Sequence, residues 1–256
     1  VILKNHGNFL NQPFWSHYKF RKVPFYATMK QVITAEDVEK LSINQINEII
    51  EKEFQYDDYK WQKDNNIRIK EKFRAEGLNK ILYQCPNCKT EHKMISKGIH
   101  LWCEECGKKW EMTELGEMKA LQGKTEFSRI PDWFQWEREN VRQQLLDGTY
   151  YYEEELQVLS TPGVNEYINL GTAKVTHDLQ NGFVIEGYYN GNNYRIHRPT
   201  KGIDALHVEY QFKHLKYLDC FELSTTNDSF YCMTKKKDIV TKLALATEEA
   251  FKIANE

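Results

Sequence analysis

Two pairs of cysteines with the same short spacing constrain this chain more than any other feature. Cys85 and Cys88 form the first C-x-x-C pair, Cys103 and Cys106 form the second, and 14 residues separate the pairs. Each pair can present two thiolates from one tight turn, and the intervening hairpin can bring all four sulfur atoms around one metal ion. The spacing therefore predicts a four-cysteine zinc ribbon with these residues as the metal ligands.

Four thiolates leave no open position on a tetrahedral zinc ion. Such a closed site stabilises a small module that has too little core to fold alone, and it offers no coordinated water for hydrolysis. We therefore expect the cofactor to be structural zinc, without a role in a reaction.

Other interpretations of the cysteines are open. A redox C-x-x-C usually begins a helix in a thioredoxin-like unit, which this segment does not resemble. A rubredoxin-type iron site has similar spacing and stays an alternative. His92 and His100 are close enough in the sequence to compete as ligands, but with four cysteines available we expect them to be surface or packing residues.

The charge of the chain limits its partners. With 35 basic and 37 acidic residues the net charge is -2, so attraction to nucleic acid or to an anionic membrane must be local. In the ribbon, glutamates offset the lysines, which weakens attraction to phosphates. The alternative function is that of a non-enzymatic zinc-ribbon protein, which binds nucleic acid, protein or a lipid headgroup. Because of this charge balance, nucleic acid is not the expected partner.

Cysteine usage and hydropathy indicate the compartment. A chain of this size with two C-x-x-C pairs needs no disulfides, which favours a reducing cytoplasm. Cys220 and Cys232 lie in apolar strand-like stretches and are interpreted as buried thiols, although a disulfide between them stays open. No apolar run approaches the roughly 20 residues of a membrane-spanning helix, and the opening residues lack the layout of a signal peptide.

The sequence divides into four segments, which together predict a multi-module α+β chain. Residues 1–80 form an α/β-type edge with strand-like runs and a capped helix, and residues 81–115 form the zinc ribbon. Residues 116–152 form a linker with a docking helix, and residues 153–256 form a β-rich unit with a C-terminal helix. One helix and two strands cannot form a doubly covered sheet. We therefore expect the missing partners of the first segment to lie upstream.

Three helices have clear sequence signals. Ser42 and Gln45 have the spacing of a capping box before an apolar stripe. Pro131 and Gly148 mark the first turn and the end of the docking helix, whose apolar face is rich in aromatic residues. The last 18 residues repeat apolar residues at helical spacing, at Ile239, Leu243, Ala246, Ala250 and Ile253.

The β-rich segment shows short alternating strands broken by turn signals such as Asn190-Gly191. Roughly seven strands followed by one amphipathic helix is the layout of a β-barrel similar to the pleckstrin-homology domain, in which the helix plugs an open end. We therefore predict a β-barrel-like domain from about Glu154 onward.

The histidines give little indication of catalysis. His214 and Asp219 have H-x4-D spacing, but both lie between strand-like runs of the β-rich segment, so we interpret the spacing as chance. His6 follows a strand, where catalytic residues often lie in α/β sheets, but a polar loop contact explains it equally well because no nucleophile accompanies it. We therefore predict no catalytic residue in this chain.

Several runs of the sequence resemble one family. VILKNHGNFLNQPFW, RAEGLNKILYQCPNC and IPDWFQWEREN are similar to the C-terminal half of bacterial lysophospholipid (1-acyl-glycerol-3-phosphate) acyltransferase-like proteins that carry an appended zinc ribbon. The similarity covers nearly the whole chain and is most specific around the ribbon.

The resemblance implies an α/β domain that transfers an acyl group from acyl-CoA or acyl carrier protein to a lysophospholipid. Its chemistry uses an H-x4-D pair, with the histidine as general base, and a downstream motif with arginine and glutamate for the phosphate. Those motifs would lie before Val1, since Val1 to Leu3 resembles the strand of the family's last conserved block. We therefore expect a fragment that is inactive alone, the accessory portion of a phospholipid-synthesis enzyme.

The resemblance also implies partners and a location. The lysophospholipid and the acyl donor would bind through the missing upstream domain, and the protein would be cytoplasmic and peripheral on the inner face of the cell membrane. Neither the resemblance nor the composition indicates an oligomeric state.

Overall fold

Three antiparallel β-sheets and the helices between them make this chain a mixed α+β structure. The computed structural model describes residues 1–16, 19–163, 166–212 and 218–256. His214, one half of the H-x4-D spacing, lies outside these residues. Asp219 lies in a strand of the largest sheet and pairs with Lys80.

The N-terminal part consists of short elements around a two-stranded sheet, in which Ile2 opposes Lys30 and His6 opposes Tyr26. In chain order they are β1 (Ile2–His6), α1 (Asn8–Asn11), a 3-10 helix (Phe14–Ser16), β2 (Tyr26–Lys30), α2 (Ala35–Lys40), α3 (Ile43–Phe54), α4 (Asp58–Asp64) and α5 (Leu78–Ile81).

The capping box predicted before α3 is confirmed. The Gln45 backbone N–H donates to the Ser42 hydroxyl at 3.3 Å, and the Ser42 N–H donates to the Gln45 side-chain oxygen at 2.9 Å. Glu53, near the end of the helix, accepts from Lys4 of β1 and Lys30 of β2, each at 2.9 Å. Helix α3 therefore lies against the two-stranded sheet, but none of its residues is fully buried.

The second sheet belongs to the cysteine-containing segment and has the order β3-β4-β5-β6. Its strands are β3 (Met94–Lys97), β4 (His100–Cys103), β5 (Lys109–Met112) and β6 (Met118–Ala120). The second C-x-x-C pair lies at the turn between β4 and β5, and an isolated bridge between Gln84 and Glu91 closes the first. Both cysteine pairs therefore lie at hairpin turns, as predicted.

The docking helix is α6 (Ile130–Leu146), with Pro131 in its first turn. Trp133, Val141 and Leu145 are buried on one face, and Gly148 follows the helix in the left-handed conformation at φ 73°. These features agree with the start, apolar face and end that the sequence predicts.

The third sheet contains seven strands, followed by the C-terminal helix α7 (Ile239–Asn255). The strands are β7 (Tyr152–Gly163), β8 (Glu166–Asp178), β9 (Gly182–Tyr189), β10 (Asn192–Arg198), β11 (His207–Phe212), β12 (Leu218–Ser224) and β13 (Ser229–Met233). At the β9–β10 turn, Asn190 and Gly191 both have positive φ, 47° and 83°, which suits the predicted Asn-Gly turn.

The predicted barrel is wrong in one respect, because the seven-stranded sheet is not closed. Its order is β10-β9-β8-β7-β13-β12-β11, which leaves β10 and β11 as edges, and no pairing joins them within the described ranges. Helix α7 contacts both β11 and a 3-10 turn, Thr200–Gly202, that follows β10. Helix α7 therefore covers apolar surface beside the β11 edge and beside the turn that follows β10.

One continuous hydrophobic core joins the ribbon, both long helices and the large sheet. It includes Trp110 of β5, Trp133 of α6, Leu156 of β7, Phe221 of β12 and Leu243 of α7. Burial of apolar side chains from all these elements in one core couples their stability. Among the described residues, no helix is both long and apolar enough to cross a bilayer.

Cys220 and Cys232 are both buried and free. Cys220 opposes Met233 across β12 and β13, whereas Cys232 opposes Phe221. Because successive residues of a strand point to opposite faces, the two thiols belong to different sides of the sheet, and they lie in different core clusters. This arrangement favours the buried-thiol interpretation over a disulfide.

His177 is buried in the large sheet, and its burial predicts that acid destabilises the folded protein. It is 1% exposed, its Nδ1 lies 2.8 Å from the Tyr150 hydroxyl oxygen, and its ring stacks on Phe183 at 4.0 Å between centroids. Burial lowers the pKa of His177 to about 3. Because the unfolded chain binds this proton below about pH 6.5 and the folded chain does not, we expect about 2 kcal/mol less stability at pH 5 than at pH 7 from this group.

Urea unfolding of the wild type and of His177→Asn between pH 7 and pH 5 measures this contribution. The variant should lose less stability on acidification than the wild type does. His197→Asn is the matched control for replacing a histidine by asparagine at an exposed position. The same pH dependence in His177→Asn and in the wild type would contradict the prediction.

Candidate metal centre

The four predicted ligands meet in one cluster. The Sγ atoms of Cys85, Cys88, Cys103 and Cys106 all lie within 4.8 Å of one another. Two of the sulfur–sulfur distances, Cys85 to Cys106 and Cys88 to Cys103, are 3.7 Å. A tetrahedral site with Zn–S bonds of about 2.3 Å requires sulfur–sulfur distances of roughly 3.8 Å. The cluster therefore has the dimensions of a four-thiolate metal site.

Two turns of the same construction position the sulfur atoms. In each, the first cysteine donates its N–H to the carbonyl five residues later and accepts at its own carbonyl from the N–H four residues later. These bonds are Cys85 to Thr90 and Lys89 to Cys85 at 2.9 Å each, and Cys103 to Lys108 at 3.0 Å and Gly107 to Cys103 at 2.9 Å. The two C-x-x-C pairs thus fold into equivalent knuckles that face each other.

The position after each knuckle has a left-handed backbone. Gly107 has φ 71°, which glycine adopts without strain, and Lys89 has φ 66° at the equivalent position of the first knuckle. The Lys89 ammonium donates to the Pro86 carbonyl at 2.9 Å and lies 4.6 Å from the Trp136 ring centroid. These contacts offset part of the cost of a non-glycine residue in this conformation.

Backbone N–H groups surround the inner sulfur atoms. The Sγ of Cys85 accepts from the N–H groups of Cys88 and Asn87, and Cys103 accepts from those of Cys106 and Glu105. Such bonds stabilise thiolates and orient them toward a metal. Burial nevertheless raises the pKa of both cysteines, so ionising them depends on a cation in the centre.

Cys88 differs from the two buried ligands because it is partly exposed. Burial raises its pKa, but hydrogen bonds with the Thr90 side chain and N–H and with neighbouring thiols outweigh this effect and lower the pKa of Cys88 to about 7. Cys106 is the most exposed ligand. The site therefore lies at the surface edge of the module, where a metal ion can enter.

The two histidines near the cysteines have other surroundings. His92 stacks on Tyr83, with 5.2 Å between ring centroids, and burial lowers its pKa. His100 lies in β4 beside Lys109 and Glu111. In the described part of the chain, the group of candidate ligands around the centre consists of the four cysteines.

The first knuckle is bonded directly to helix α6 through Gln84. The Gln84 carbonyl accepts from the Trp133 indole N–H at 3.0 Å, and its backbone N–H donates to the Glu137 carboxyl at 2.8 Å. Its side-chain oxygen accepts from Asn140 at 2.8 Å. These three hydrogen bonds hold the first cysteine turn and α6 in one relative position.

Sequence analysis missed Glu137. It lies on the buried face of α6, four residues after Trp133 and four before Val141, and burial raises its pKa well above the ordinary value. A carboxyl group at the i+4 position of an otherwise apolar helical face was the signal available in the sequence. Its partner Gln84 could not be inferred, because the two residues are 53 positions apart.

The ribbon lysines considered for phosphate binding make contacts within the protein. Lys108 forms an ion pair with Glu126 and lies 5.6 Å from the Trp110 ring centroid. Lys109 lies 5.6 Å from the ring of Trp102. Cations already placed on aromatic rings and carboxylates are less available for phosphates.

His6, the other candidate from the sequence, makes polar contacts through both ring nitrogens. Nδ1 lies 2.8 Å from the Tyr56 hydroxyl, and Nε2 lies 2.9 Å from the Thr28 hydroxyl. The ring also stacks on Tyr26 at 4.8 Å between centroids. His6 is thus the last residue of β1 and not a loop residue, and these contacts support a structural polar role for it.

No protein-family model matches the chain, and no curated protein matches it significantly. The acyltransferase resemblance therefore stays a prediction.

Proposed function

We propose that this chain is the non-catalytic accessory portion of a phospholipid-synthesis acyltransferase, built around a structural zinc ion. The observation that supports the structural zinc ion is the four-sulfur cluster with tetrahedral dimensions. A site that uses four thiolates has no position left for a substrate or a reactive water, so its contribution is structural.

The position of the cluster explains what the metal would stabilise. Glu91, at the end of the first knuckle, pairs with Lys242 of α7 at 2.6 Å, and Gln84, before the knuckle, is bonded to α6. Arg138 of α6 in turn pairs with Glu249 of α7 at 3.0 Å. A metal ion in the cluster would thus fix the turn on which both long helices are packed, and with them the large sheet.

The assignment to an acyltransferase rests on the resemblance in the sequence. It supports acyl-CoA or acyl carrier protein as donor and a lysophospholipid as acceptor, both bound by a domain outside these 256 residues. It also supports a cytoplasmic protein on the inner membrane face. The seven strands and C-terminal helix support a domain similar to the pleckstrin-homology fold, with the sheet open at its edges.

Two measurements test the proposal. Elemental analysis of the purified chain should find about one zinc ion per chain; the absence of bound metal would contradict the structural part. For the enzymatic part, acyl transfer from acyl-CoA to lysophosphatidic acid should be absent with the 256-residue chain and present with a longer polypeptide that also carries the proposed upstream domain. Equal rates for the longer polypeptide and for a variant lacking its H-x4-D histidine would reject an acyltransferase.

A further inference from the structure

One edge of the seven-stranded sheet lies free beside a cavity. Strand β10 pairs with β9 on one side, and on its other side no strand of the described ranges pairs with it. In an antiparallel sheet, every second residue of an edge strand directs its backbone N–H and C=O away from the neighbouring strand. Strand β10 therefore presents a row of backbone hydrogen-bonding groups with which a further extended strand can pair.

The side chains of β10 face two different environments. Tyr194 and Ile196 are half-buried, whereas Asn193, Arg195 and His197 are exposed. Successive residues of a strand point to opposite faces, so the first two point into the fold and the other three point to solvent. A strand paired with β10 would place its own side chains in these two environments by turns.

The cavity lies on the inward side of this edge. Its volume is about 390 Å³, and β10 contributes the alternate residues Asn192, Tyr194 and Ile196 to its wall. Leu170 of β8 and Phe230 of β13 supply further apolar surface. A volume of this size lies within the range of ligand pockets, about 300–1,000 Å³. Apolar side chains of an added strand can therefore be buried there.

The carboxylate in the cavity wall already has hydrogen-bond donors. Asp228 accepts from the Ser160 hydroxyl at 2.6 Å and from the Thr161 N–H at 2.9 Å. These bonds join β7 to the turn between β12 and β13. Because the carboxylate is hydrogen-bonded within the protein, covering it with an apolar side chain costs less than burying a carboxylate without partners.

The edge strand and the turn that follows it are basic. Residues 190–203 include Arg195, Arg198 and Lys201 and contain no aspartate or glutamate. Arg195 donates to Glu186 through Nε at 3.1 Å, and a guanidinium has four further N–H donors. Two copies of this strand would repel each other, whereas a strand with acidic residues would be attracted.

We propose that β10 binds an extended acidic segment of a partner protein by strand addition. The backbone of the segment pairs with the free edge, and its apolar side chains enter the cavity beside Tyr194 and Ile196. Its acidic side chains alternate with the apolar ones and lie near Arg195. Main-chain hydrogen bonds give affinity in this mode of recognition, and the alternating side chains give specificity. The inference goes beyond the proposed function, because it requires neither acyl transfer nor the metal centre.

The test is a fluorescence-polarisation titration of the full chain with a labelled seven-residue peptide that alternates glutamate and valine. We expect saturable binding that weakens about fivefold for each valine changed to alanine. A peptide with lysine in place of glutamate should bind much more weakly. A peptide with two adjacent prolines at its centre cannot pair as a strand and should not bind.

Arg195→Gln should weaken binding of the glutamate–valine peptide about threefold to fivefold. Lys174→Gln is the matched control. Lys174 is also exposed, pairs with Glu153 at 3.0 Å and lies in the same cross-strand row as Arg195, but its strand β8 is two strands from the edge. This control should bind like the wild type. Hydrogen exchange should become slower in β10 when the peptide binds and should stay unchanged in β11.

Four results would overturn the inference. They are no binding at about 1 mM peptide, undiminished binding of the proline peptide, equal affinities of Arg195→Gln and Lys174→Gln, and slower exchange in β11 instead of β10. Dimerisation of the peptide-free chain with slower exchange in β10 would likewise assign the edge to a second copy. Each outcome leaves the proposed function intact, because zinc content and acyl transfer are measured separately.

Discussion

Replacing Cys85 with serine is expected to release the zinc ion that we propose for the cluster and to lower the free energy of unfolding by about 5 kcal/mol or more, because metal binding and folding of such modules are coupled. Cys85 is buried, and its sulfur lies 3.7 Å from that of Cys106. Serine at this position cannot replace a thiolate ligand, and the three remaining sulfurs would form an incomplete site. Zinc content and urea unfolding, each measured for wild type and variant, test this expectation.

Cys220→Ser is the matched control. Cys220 is also buried, but it packs with Leu159 and Met233 away from the sulfur cluster. Its replacement should keep the zinc and cost about 1–3 kcal/mol, the usual penalty for burying a hydroxyl group. A chelator should shift the unfolding midpoint of the wild type and of Cys220→Ser, but not that of Cys85→Ser. Unchanged stability of Cys85→Ser would contradict a structural metal.

Trp133→Ala has the second-largest expected effect. Trp133 is fully buried, its ring contacts Trp110 at 5.1 Å between centroids, and its indole donates to the Gln84 carbonyl at 3.0 Å. Truncation leaves a cavity between α6 and the ribbon and removes a buried hydrogen bond. We expect a loss of about 4–5 kcal/mol in the free energy of unfolding.

Trp136→Ala provides the comparison within the same helix. Trp136 is half-buried and packs with Phe127 and the Lys89 ammonium, so its truncation should cost less than half as much as that of Trp133. Because Trp133 bonds to the residue before Cys85, Trp133→Ala should also weaken zinc retention against a chelator. Equal losses for both variants would show that α6 does not brace the first knuckle.

The sequence predicted elements whose signals are local. The capping box of α3, the proline in the first turn of α6 and the apolar stripe of α7 all lie within a few residues of the structure they specify. The seven strands were also predicted, because the alternation of apolar and polar residues and the Asn-Gly turns are likewise signals within a few residues of the chain. Closure into a barrel was predicted wrongly, because it depends on whether β10 and β11, distant in sequence, become neighbours.

The candidate metal centre also has features that the sequence predicted and features that it did not predict. Spacing alone predicted that the four cysteines would form one cluster, because two residues between cysteines set the size of a knuckle and leave little conformational choice. Tertiary structure alone decided what this centre supports. Gln84 meets Glu137 across 53 residues, and Lys80 meets Asp219 across 139. Such contacts depend on how several elements pack together, and that packing is a property of the whole core, not of any short run of residues.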